Sequence, residues 1–285
     1  MNQNTKKIGF VDLYISEWHA NNYPVWMREI AKTLGYDYEI AYAYAEEDVS
    51  PVDGRTTAEW CEQFGVTACA TIGELCEKSD CIVILAPSNP EAHLRLAAAV
   101  LPYKKRTYID KTFAPDAATA REIFRIAEQY GTPFFSTSAL RFSEELDLVK
   151  DPTLVVTTGS GRSADEYIVH QAEMVVKKLG IGADAVRATD LGNALCFHVR
   201  YGDGRSAQMT YSKGSLPFTV YLAGDAGTKY SSVKSDFFKI LMKEILVFFE
   251  TGDLPFDPVE TDEVMRIREA ALRAAETPDV WVALP

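Results

Sequence analysis

The stretch DCIVILAPSNPEAHLRLAAAVLPYKKRTYIDK, residues 80–111, decides the fold. Its continuous apolar run, residues 81–86, ends at Pro87 and is typical of a strand buried on both faces of a parallel sheet. Helical spacing of apolar residues follows over residues 90–100, and a second strand is predicted over residues 106–109. Ligands bind at the carboxyl ends of strands in open α/β sheets. The stretch therefore predicts a strand–helix–strand unit with a site edge around Pro87 and Lys111.

Length and composition bound the class of protein. The chain has 285 residues, 47% apolar and 25% charged, which is typical of one large or two ordinary globular domains. It contains no apolar stretch long enough to cross a membrane, and its N-terminus lacks a signal-peptide core, so we expect a cytoplasmic protein. The formal net charge of −12, without a basic cluster, disfavours nucleic acid and anionic membranes as partners.

The cysteine pattern argues against a disulfide framework. The five cysteines are an odd number and contain no CxxC pair. We therefore expect reduced, structural thiols and no metal site.

The order of predicted elements divides the chain into two parts. Strands and helices alternate over residues 1–137, starting with a strand at residues 6–12 and a helix from about Pro24, capped by Asn21 or Asn22. This alternation predicts a doubly wound parallel α/β sheet. Residues 138–285 group their strands together, with a hairpin turn at Asp203-Gly204 and two closing helices. That pattern predicts an α+β domain with a largely antiparallel open sheet.

Several motifs, in order along the chain, carry a family resemblance. They are ILAPSNPEAH, RTYIDKTFA, FFSTSALRF, EYIVHQAEMVVKKLG and the closing segment FFETGDLPFDPVETDEVMRIREAALRAAET. Together they resemble the glucose–fructose oxidoreductase / inositol dehydrogenase / MocA (Gfo/Idh/MocA) family over nearly the whole chain. The family typically has Glu-Lys-Pro where this chain has Asp110-Lys111-Thr112.

The resemblance implies a fold and an activity. Residues 1–137 would form a Rossmann-type dinucleotide-binding domain, and residues 138–285 a domain for substrate binding and oligomerisation. The activity would be NAD(P)-dependent oxidation or reduction at a CH–OH carbon of a sugar, polyol or cyclitol-like substrate, held between the cofactor and the second domain's sheet. The resemblance also implies a homo-oligomer, a dimer or tetramer, joined through the open face of that sheet.

The phosphate-binding loop departs from the family pattern. The first two glycines of Gly-x-Gly-x-x-Gly fall on Asp12 and Tyr14, where a carboxylate repels a diphosphate and a tyrosine adds bulk. The acidic ribose ligand after the second strand is also missing, because residues 42–44 read Tyr-Ala-Tyr. Either residues 13–22 form a longer loop that holds the phosphates through side chains of Ser16, His19, Asn21 or Asn22, or the chain has lost redox chemistry.

Loss of redox chemistry leaves a second class of function. The chain would then be a non-redox relative that binds a sugar-like ligand or a partner without nucleotide. A third possibility is a lyase or isomerase that uses tightly held NAD transiently.

Two residues are the catalytic candidates. Lys111 follows a buried strand, where desolvation lowers an amine pKa and lets the amine accept a hydroxyl proton; a solvated lysine is the alternative. His170 shares a helix face with Glu166 and Glu173, which could orient it for proton transfer; an ordinary polar stripe with a Ser163–Glu166 capping box is the alternative.

The remaining candidates are binding residues. The expected substrate contacts are Arg141, Glu166, Tyr167 and Glu173. The expected cofactor contacts are Asp12, Leu13, Tyr14, Ser16, His19, Pro87, Ser88, Asn89, Asp110 and Lys111.

Overall fold

Strands and helices alternate through the first part of the chain in the computed structural model, which describes residues 5–285. The elements are β1 (Lys6–Asp12), α1 (Trp18–Leu34), β2 (Tyr38–Ala45), α2 (Thr57–Phe64), β3 (Thr67–Ala68), α3 (Ile72–Lys78), β4 (Cys81–Ile84), α4 (Pro90–Val100), β5 (Arg106–Ile109), α5 (Ala117–Tyr130) and β6 (Phe134–Ser136). Their strands form one six-stranded parallel sheet in the order β3-β2-β1-β4-β5-β6. This confirms the predicted doubly wound α/β sheet, whose strand order reverses between β1 and β4.

The start of α1 is a correction to the sequence analysis. The helix begins at Trp18 with Glu17 as its N-cap, and Pro24 lies inside it rather than in its first turn. Asn21 and Asn22 are therefore helical residues, not caps. The helix starts early because the Glu17 carboxylate binds first-turn N–H groups, and because Ala20 and Tyr23 bury one face of that turn. This burial outweighs the hydrogen bond that an internal proline removes.

The remaining elements follow in the second part of the chain. They are β7 (Leu154–Ser160), α6 (Ala164–Leu179), β8 (Ala183–Asp190), β9 (Ala194–Tyr201), β10 (Ser206–Ser212), β11 (Thr219–Gly224), β12 (Gly227–Ser232), α7 (Phe237–Thr251), α8 (Val259–Glu276) and β13 (Trp281–Ala283). The seven-stranded sheet has the order β12-β11-β7-β10-β9-β8-β13, and only the β7–β10 pair among these is parallel. The predicted, largely antiparallel second sheet is thus confirmed. The turn at Asp203-Gly204 joins β9 to β10, with Gly204 at φ +93°.

Two compact units divide the chain. The first contains the residues up to Ser136 together with Lys239–Pro255, and the second contains Thr137–Phe238 together with Phe256–Pro285. Most of α7 therefore belongs to the first unit: Phe248 packs edge-on against Phe135, with 5.2 Å between the ring centroids.

The sheet of the second unit has a packed face. Alternate residues of β9, Phe197 and Val199, are buried in a cluster that also contains Ile168 and Val175 of α6 and Ile267 of α8. The neighbouring residues Cys196, His198 and Arg200 are half-buried or exposed, so buried and more accessible side chains alternate along this strand.

Candidate functional site

The candidate site of the first unit lies at the carboxyl edge of β1, β4 and β5. Asp12 is the last residue of β1, residues 86–89 follow β4, and Asp110 and Lys111 follow β5. Because the strand order reverses between β1 and β4, this is the edge at which sheets of this kind bind ligands. The predicted cofactor residues of the three segments are therefore brought to the same edge.

Asp110 is the centre of a buried hydrogen-bond network at this edge. Its carboxylate accepts from the Lys111 backbone N–H at 2.8 Å and the Tyr108 hydroxyl at 3.1 Å. It also contacts Nδ1 of His19 and accepts from the Tyr23 hydroxyl at 3.4 Å. Burial raises the pKa of Asp110, but His19 and then Lys111 outweigh it and hold that pKa below its ordinary value. Asp110 is therefore held as a buried carboxylate.

Lys111 lies beside this network with little access to water. Its side chain is about nine-tenths buried, and Nζ donates to the Pro87 carbonyl at 3.3 Å. The Lys111–Thr112 peptide bond is cis. Lys111 thus links the end of β5 to the turn after β4 and presents an amine at the edge where a substrate hydroxyl could be bound.

The turn after β4 joins the other two segments. Ala86 has a positive φ of 68°, Ser88 is half-buried in the turn, and Asn89 caps α4. The Tyr14 hydroxyl donates to Oδ1 of Asn89 at 3.2 Å, which connects the β1–α1 loop to this turn. Buried His93 contacts the carbonyls of Leu85 and, at 3.0 Å, Phe113.

The role of His93 follows from those contacts. Burial lowers the pKa of His93 and favours the neutral ring. Both ring nitrogens contact backbone carbonyls, so His93 connects the turn after β4 to the segment after β5 and has a structural position.

Glu17, the N-cap of α1, was not foreseen as part of this site. Glu17 is 6% exposed, its Oε2 accepts from the His19 N–H at 2.8 Å, and its Oε1 contacts the Ala20 N–H. Burial raises the pKa of Glu17. An acidic residue directly before the helical residues of α1 is the signal that could have found this cap, although aspartate is the more usual acidic N-cap.

Asp12 is a second buried carboxyl group at this corner. Its Oδ1 accepts from the Leu13 N–H at 2.7 Å, whereas Oδ2 is buried and has no hydrogen-bond partner among the described residues. Burial, followed by repulsion from Glu17, raises the pKa of Asp12 well above its ordinary value. The Leu13 carbonyl accepts from the Glu47 N–H at 2.7 Å, so both backbone groups of Leu13 are bound within the protein.

The side chains expected to hold phosphates are bound elsewhere. Ser16 Oγ donates to Asp53 at 2.8 Å, Asn21 accepts from Trp60 Nε1 at 2.9 Å, and Asn22 donates to the Trp18 carbonyl at 2.6 Å. His19 is on Asp110, and no lysine or arginine occurs from Asp12 to Trp26. The residues at the start of α1 therefore do not fit the diphosphate of a dinucleotide.

The region after β2 corrects a further expectation. The strand continues to Ala45, so the acidic residue that appeared to be missing at residues 42–44 is present as Glu46. Arg95 binds Glu46, with Nε 2.9 Å from Oε1 and 3.1 Å from Oε2. A carboxylate is thus available after β2, but in this structure it is paired with a guanidinium.

In the second unit, the Ser138 hydroxyl contacts the ring of His170. Nδ1 of His170 is 2.6 Å from Ser138 Oγ, and the ring makes edge contacts with Tyr167 and Phe218 at centroid distances of 5.4 and 5.8 Å. The Ser138 N–H donates to Glu173 Oε1 at 3.0 Å. Glu173 therefore fixes the backbone of Ser138, whose hydroxyl contacts His170. Sequence reasoning missed Ser138, since no local pattern joins it to residue 170.

Arg141 and Glu173 bind one another in the interior. Arg141 Nη1 is 3.1 Å from Glu173 Oε2, Nη2 contacts Glu260, and the guanidinium lies 3.8 Å from the Phe256 ring centroid. Both side chains of the Arg141–Glu173 pair are 3% exposed. Burial raises the pKa of Glu173, although Arg141 opposes the shift.

Glu166 lies on the more exposed part of the same helix. It pairs with Arg162, and its N–H donates to Ser163 Oγ at 3.2 Å. Tyr167 and Glu166 are half-buried, so of the four predicted substrate contacts these two are the more accessible.

The fold defines a class: a Rossmann-type parallel sheet followed by a unit with an open, mostly antiparallel sheet. No protein-family model matches the chain, and no curated protein sequence matches it. Solved structures share the fold over nearly the whole length. A probable dehydrogenase from Thermotoga maritima is 13% identical with a TM-score of 0.79, covering 97% of this chain and 98% of that one.

Two further solved structures have the same fold. A myo-inositol dehydrogenase from Corynebacterium glutamicum is 13% identical with a TM-score of 0.78, covering 99% of both chains. GenD2 from gentamicin A biosynthesis, in complex with NAD, is 13% identical with a TM-score of 0.77, covering 100% of this chain and 99% of that one. At this level of identity the likeness shows the fold. Across residues 5–285, none of the helices has the length and apolarity that a membrane crossing requires.

Proposed function

We propose that the carboxyl edge of the first sheet binds a small hydroxyl-bearing molecule of the sugar, polyol or cyclitol class, and that Lys111 handles its hydroxyl proton. The observation that carries this proposal is the nearly buried amino group of Lys111, held at 3.3 Å from the Pro87 carbonyl beside the Asp110 network. Reaction at a CH–OH carbon requires a group that takes or returns the hydroxyl proton, and a positioned amine can do so.

The first candidate reaction is NAD(P)-dependent oxidoreduction at a CH–OH carbon. It is supported by the fold that this chain shares with sugar and inositol dehydrogenases, one of them in complex with NAD. In this proposal Pro87, Ser88, Asn89 and Asp110 are the residues that contact the cofactor. The start of α1 does not fit its diphosphate, so we assign no cofactor contact there.

The second unit supplies the remaining proposed groups. We assign His170 a proton-handling role, supported by the 2.6 Å contact of Nδ1 with Ser138, which orients the ring. Glu166 and Tyr167 remain proposed substrate contacts. For Arg141 and Glu173 we propose positioning instead, because each is buried against the other.

The second candidate function is binding of a sugar-like ligand, or of a partner, without nucleotide. A specific observation favours it: the carboxylate of Glu17 binds the His19 and Ala20 N–H groups at the start of α1, where a diphosphate would need free donors, and a second carboxyl group, Asp12, ends β1. A dinucleotide-free relative would have no need for those donors.

Binding measurements separate the two candidates. The protein is tested by thermal shift and calorimetry with NAD, NADH, NADP and NADPH at millimolar concentration. Each measurement is made with and without a panel of inositols, sugars and sugar alcohols. We expect at least one polyol to bind. Binding of any dinucleotide supports the first candidate. A polyol shift without any dinucleotide shift supports the second, and no shift with any polyol contradicts the proposal as a whole.

A Lys111→Met variant tests the proposed role of the amine. We expect it to fold with a melting temperature near that of the wild type, since methionine has similar length and needs no ion partner, and to lose turnover or polyol binding. Lys32→Met, at an exposed position of α1, is the matched control and should behave as wild type. Retained turnover and binding in Lys111→Met would contradict the assignment.

We also propose a cytoplasmic homo-oligomer, a dimer or tetramer, joined through the outward face of the second sheet. The proposal is supported by an open depression of about 330 Å³ on that face, which is lined by half-buried Arg187 and His198 and by exposed Arg200 and Trp281. Light scattering of the purified protein gives the mass of the particle; a monomer would contradict the oligomer.

A further inference from the structure

We infer that Glu17 closes the start of α1 to phosphate, because its own carboxylate takes the position that the diphosphate of a dinucleotide occupies in this type of fold. In a Rossmann-type unit, the diphosphate binds to the backbone N–H groups that open the first helix after β1. The strand order of the first unit identifies α1 as that helix. The inference therefore rests on the fold and on Glu17, not on the proposed function.

The hydrogen bonds of the first turn of α1 show how the closure is built. The Glu17 N–H donates to the Ile15 carbonyl at 2.9 Å, which turns the chain without a glycine. The Glu17 carboxylate then binds the N–H groups of His19 and Ala20, and its carbonyl accepts from the Asn21 N–H at 2.9 Å. Three consecutive N–H groups are thus bound to Glu17. A phosphate could reach the N–H groups of His19 and Ala20 only after the Glu17 carboxylate had moved away.

The charge around this turn acts in the same direction. Asp12 stands where the first glycine of a dinucleotide loop would be, is 1% exposed, and keeps Oδ2 without a hydrogen-bond partner among the described residues. Asp110 is a further buried carboxylate of the same edge, and residues 12–26 contain no lysine or arginine. A dianionic group entering here would find no lysine or arginine within residues 12–26 and would face the carboxylate of Asp110.

The closure predicts what this corner can bind. A ligand at the edge must carry its negative charge away from α1 or have none, which suits a neutral polyol. The protein therefore either works without a dinucleotide or holds one without the N–H groups of His19 and Ala20.

The test uses the full chain, with inorganic pyrophosphate and NADH as probes. Glu17→Ser replaces the carboxylate with a small, uncharged N-cap, and Glu62→Gln, at an exposed position of α2, is a control that also removes one negative charge. Calorimetry at low salt should show no measurable pyrophosphate binding to the wild type or the control. Glu17→Ser should bind pyrophosphate at least about tenfold more tightly than the weakest affinity that the measurement can detect. Equal pyrophosphate affinity in all three proteins overturns the inference.

A second measurement needs no variant. The ¹H–¹⁵N signals of His19 and Ala20 in the wild type report directly on their N–H partners. They should stay in place when NADH is added, whether or not NADH binds elsewhere; a shift of both, together with saturable NADH binding, overturns the inference. Failure of the proposed function looks different, because it is the absence of polyol binding with His19 and Ala20 unchanged.

Discussion

Replacing Asp110 with asparagine should destabilise the first unit by about 3–5 kcal/mol. The carboxylate accepts from the Lys111 N–H, the Tyr108 hydroxyl and the Tyr23 hydroxyl, and it contacts His19, all in the interior. An amide keeps one acceptor oxygen and turns an NH₂ group towards the remaining donors. Two charge-assisted hydrogen bonds, each contributing about 1.5–3 kcal/mol, are then lost, because the asparagine NH₂ group faces groups that are themselves donors.

The assay is urea unfolding at neutral pH followed by tryptophan fluorescence. Three of the four tryptophans, Trp18, Trp26 and Trp60, lie in the first unit, so the signal reports mainly on that unit. Asp53→Asn is the matched control: Asp53 is partly exposed and accepts from Ser16, and its loss should cost less than about 1 kcal/mol.

The pH dependence of the free energy of unfolding tests the same prediction independently. Because the pKa of Asp110 is below its ordinary value of 3.8, its stabilisation is present above that value and is lost as the pH falls through the folded-state pKa. The difference between wild type and Asp110→Asn should therefore shrink in acid. A loss below about 1 kcal/mol at neutral pH, or a difference that does not change in acid, refutes the reasoning.

Two further predictions concern buried charges. Burial raises the pKa of Asp12, so the stability that it contributes is full below 3.8 and is lost as the pH rises towards the folded-state pKa. Asp12→Asn should therefore gain stability relative to wild type as the pH rises above 3.8, and urea midpoints that diverge the other way would exclude this account. Arg141→Lys should destabilise the second unit by about 3–5 kcal/mol, because lysine cannot fork between Glu173 and Glu260, whereas Arg162→Lys, on an exposed pair, should lose less than about 1 kcal/mol. Thermal unfolding compares these two variants, and equal losses would contradict the buried-pair argument.

Local patterns in the sequence were sufficient for the parallel sheet. The apolar runs of β1, β4 and β5 are bounded by charged or turn residues, so their positions follow from burial alone. α1 was predicted to start too late because Pro24 and the two asparagines before it are the usual signs of a helix start. β12 was missed because most of its residues are exposed and polar, and its strand is defined by pairing with β11.

The contacts of the candidate site could not be predicted by local pattern. His19 and Asp110 are 91 positions apart, and Ser138 and His170 are 32 apart. Such pairs depend on how the strands and helices are brought together, which neither periodicity nor spacing specifies. The sequence did show that Asp12 and Tyr14 replace the first two glycines of the dinucleotide-binding pattern. Asp12 was predicted to be unfavourable for a diphosphate, whereas Glu17, which binds the N–H groups directly, was not singled out.

The charge of the edge decides which ligand suits it. Lys111 lies at the same edge as three buried carboxyl groups, Asp12, Glu17 and Asp110, and the last of these contacts His19 and accepts from hydroxyl donors. An added phosphate would have to displace the Glu17 carboxylate from the N–H groups of His19 and Ala20. A hydroxyl group needs no such exchange, because it can donate to a carboxylate and accept from an ammonium at the same time. The same edge that does not fit a diphosphate is therefore suited to a neutral, polyhydroxylated molecule.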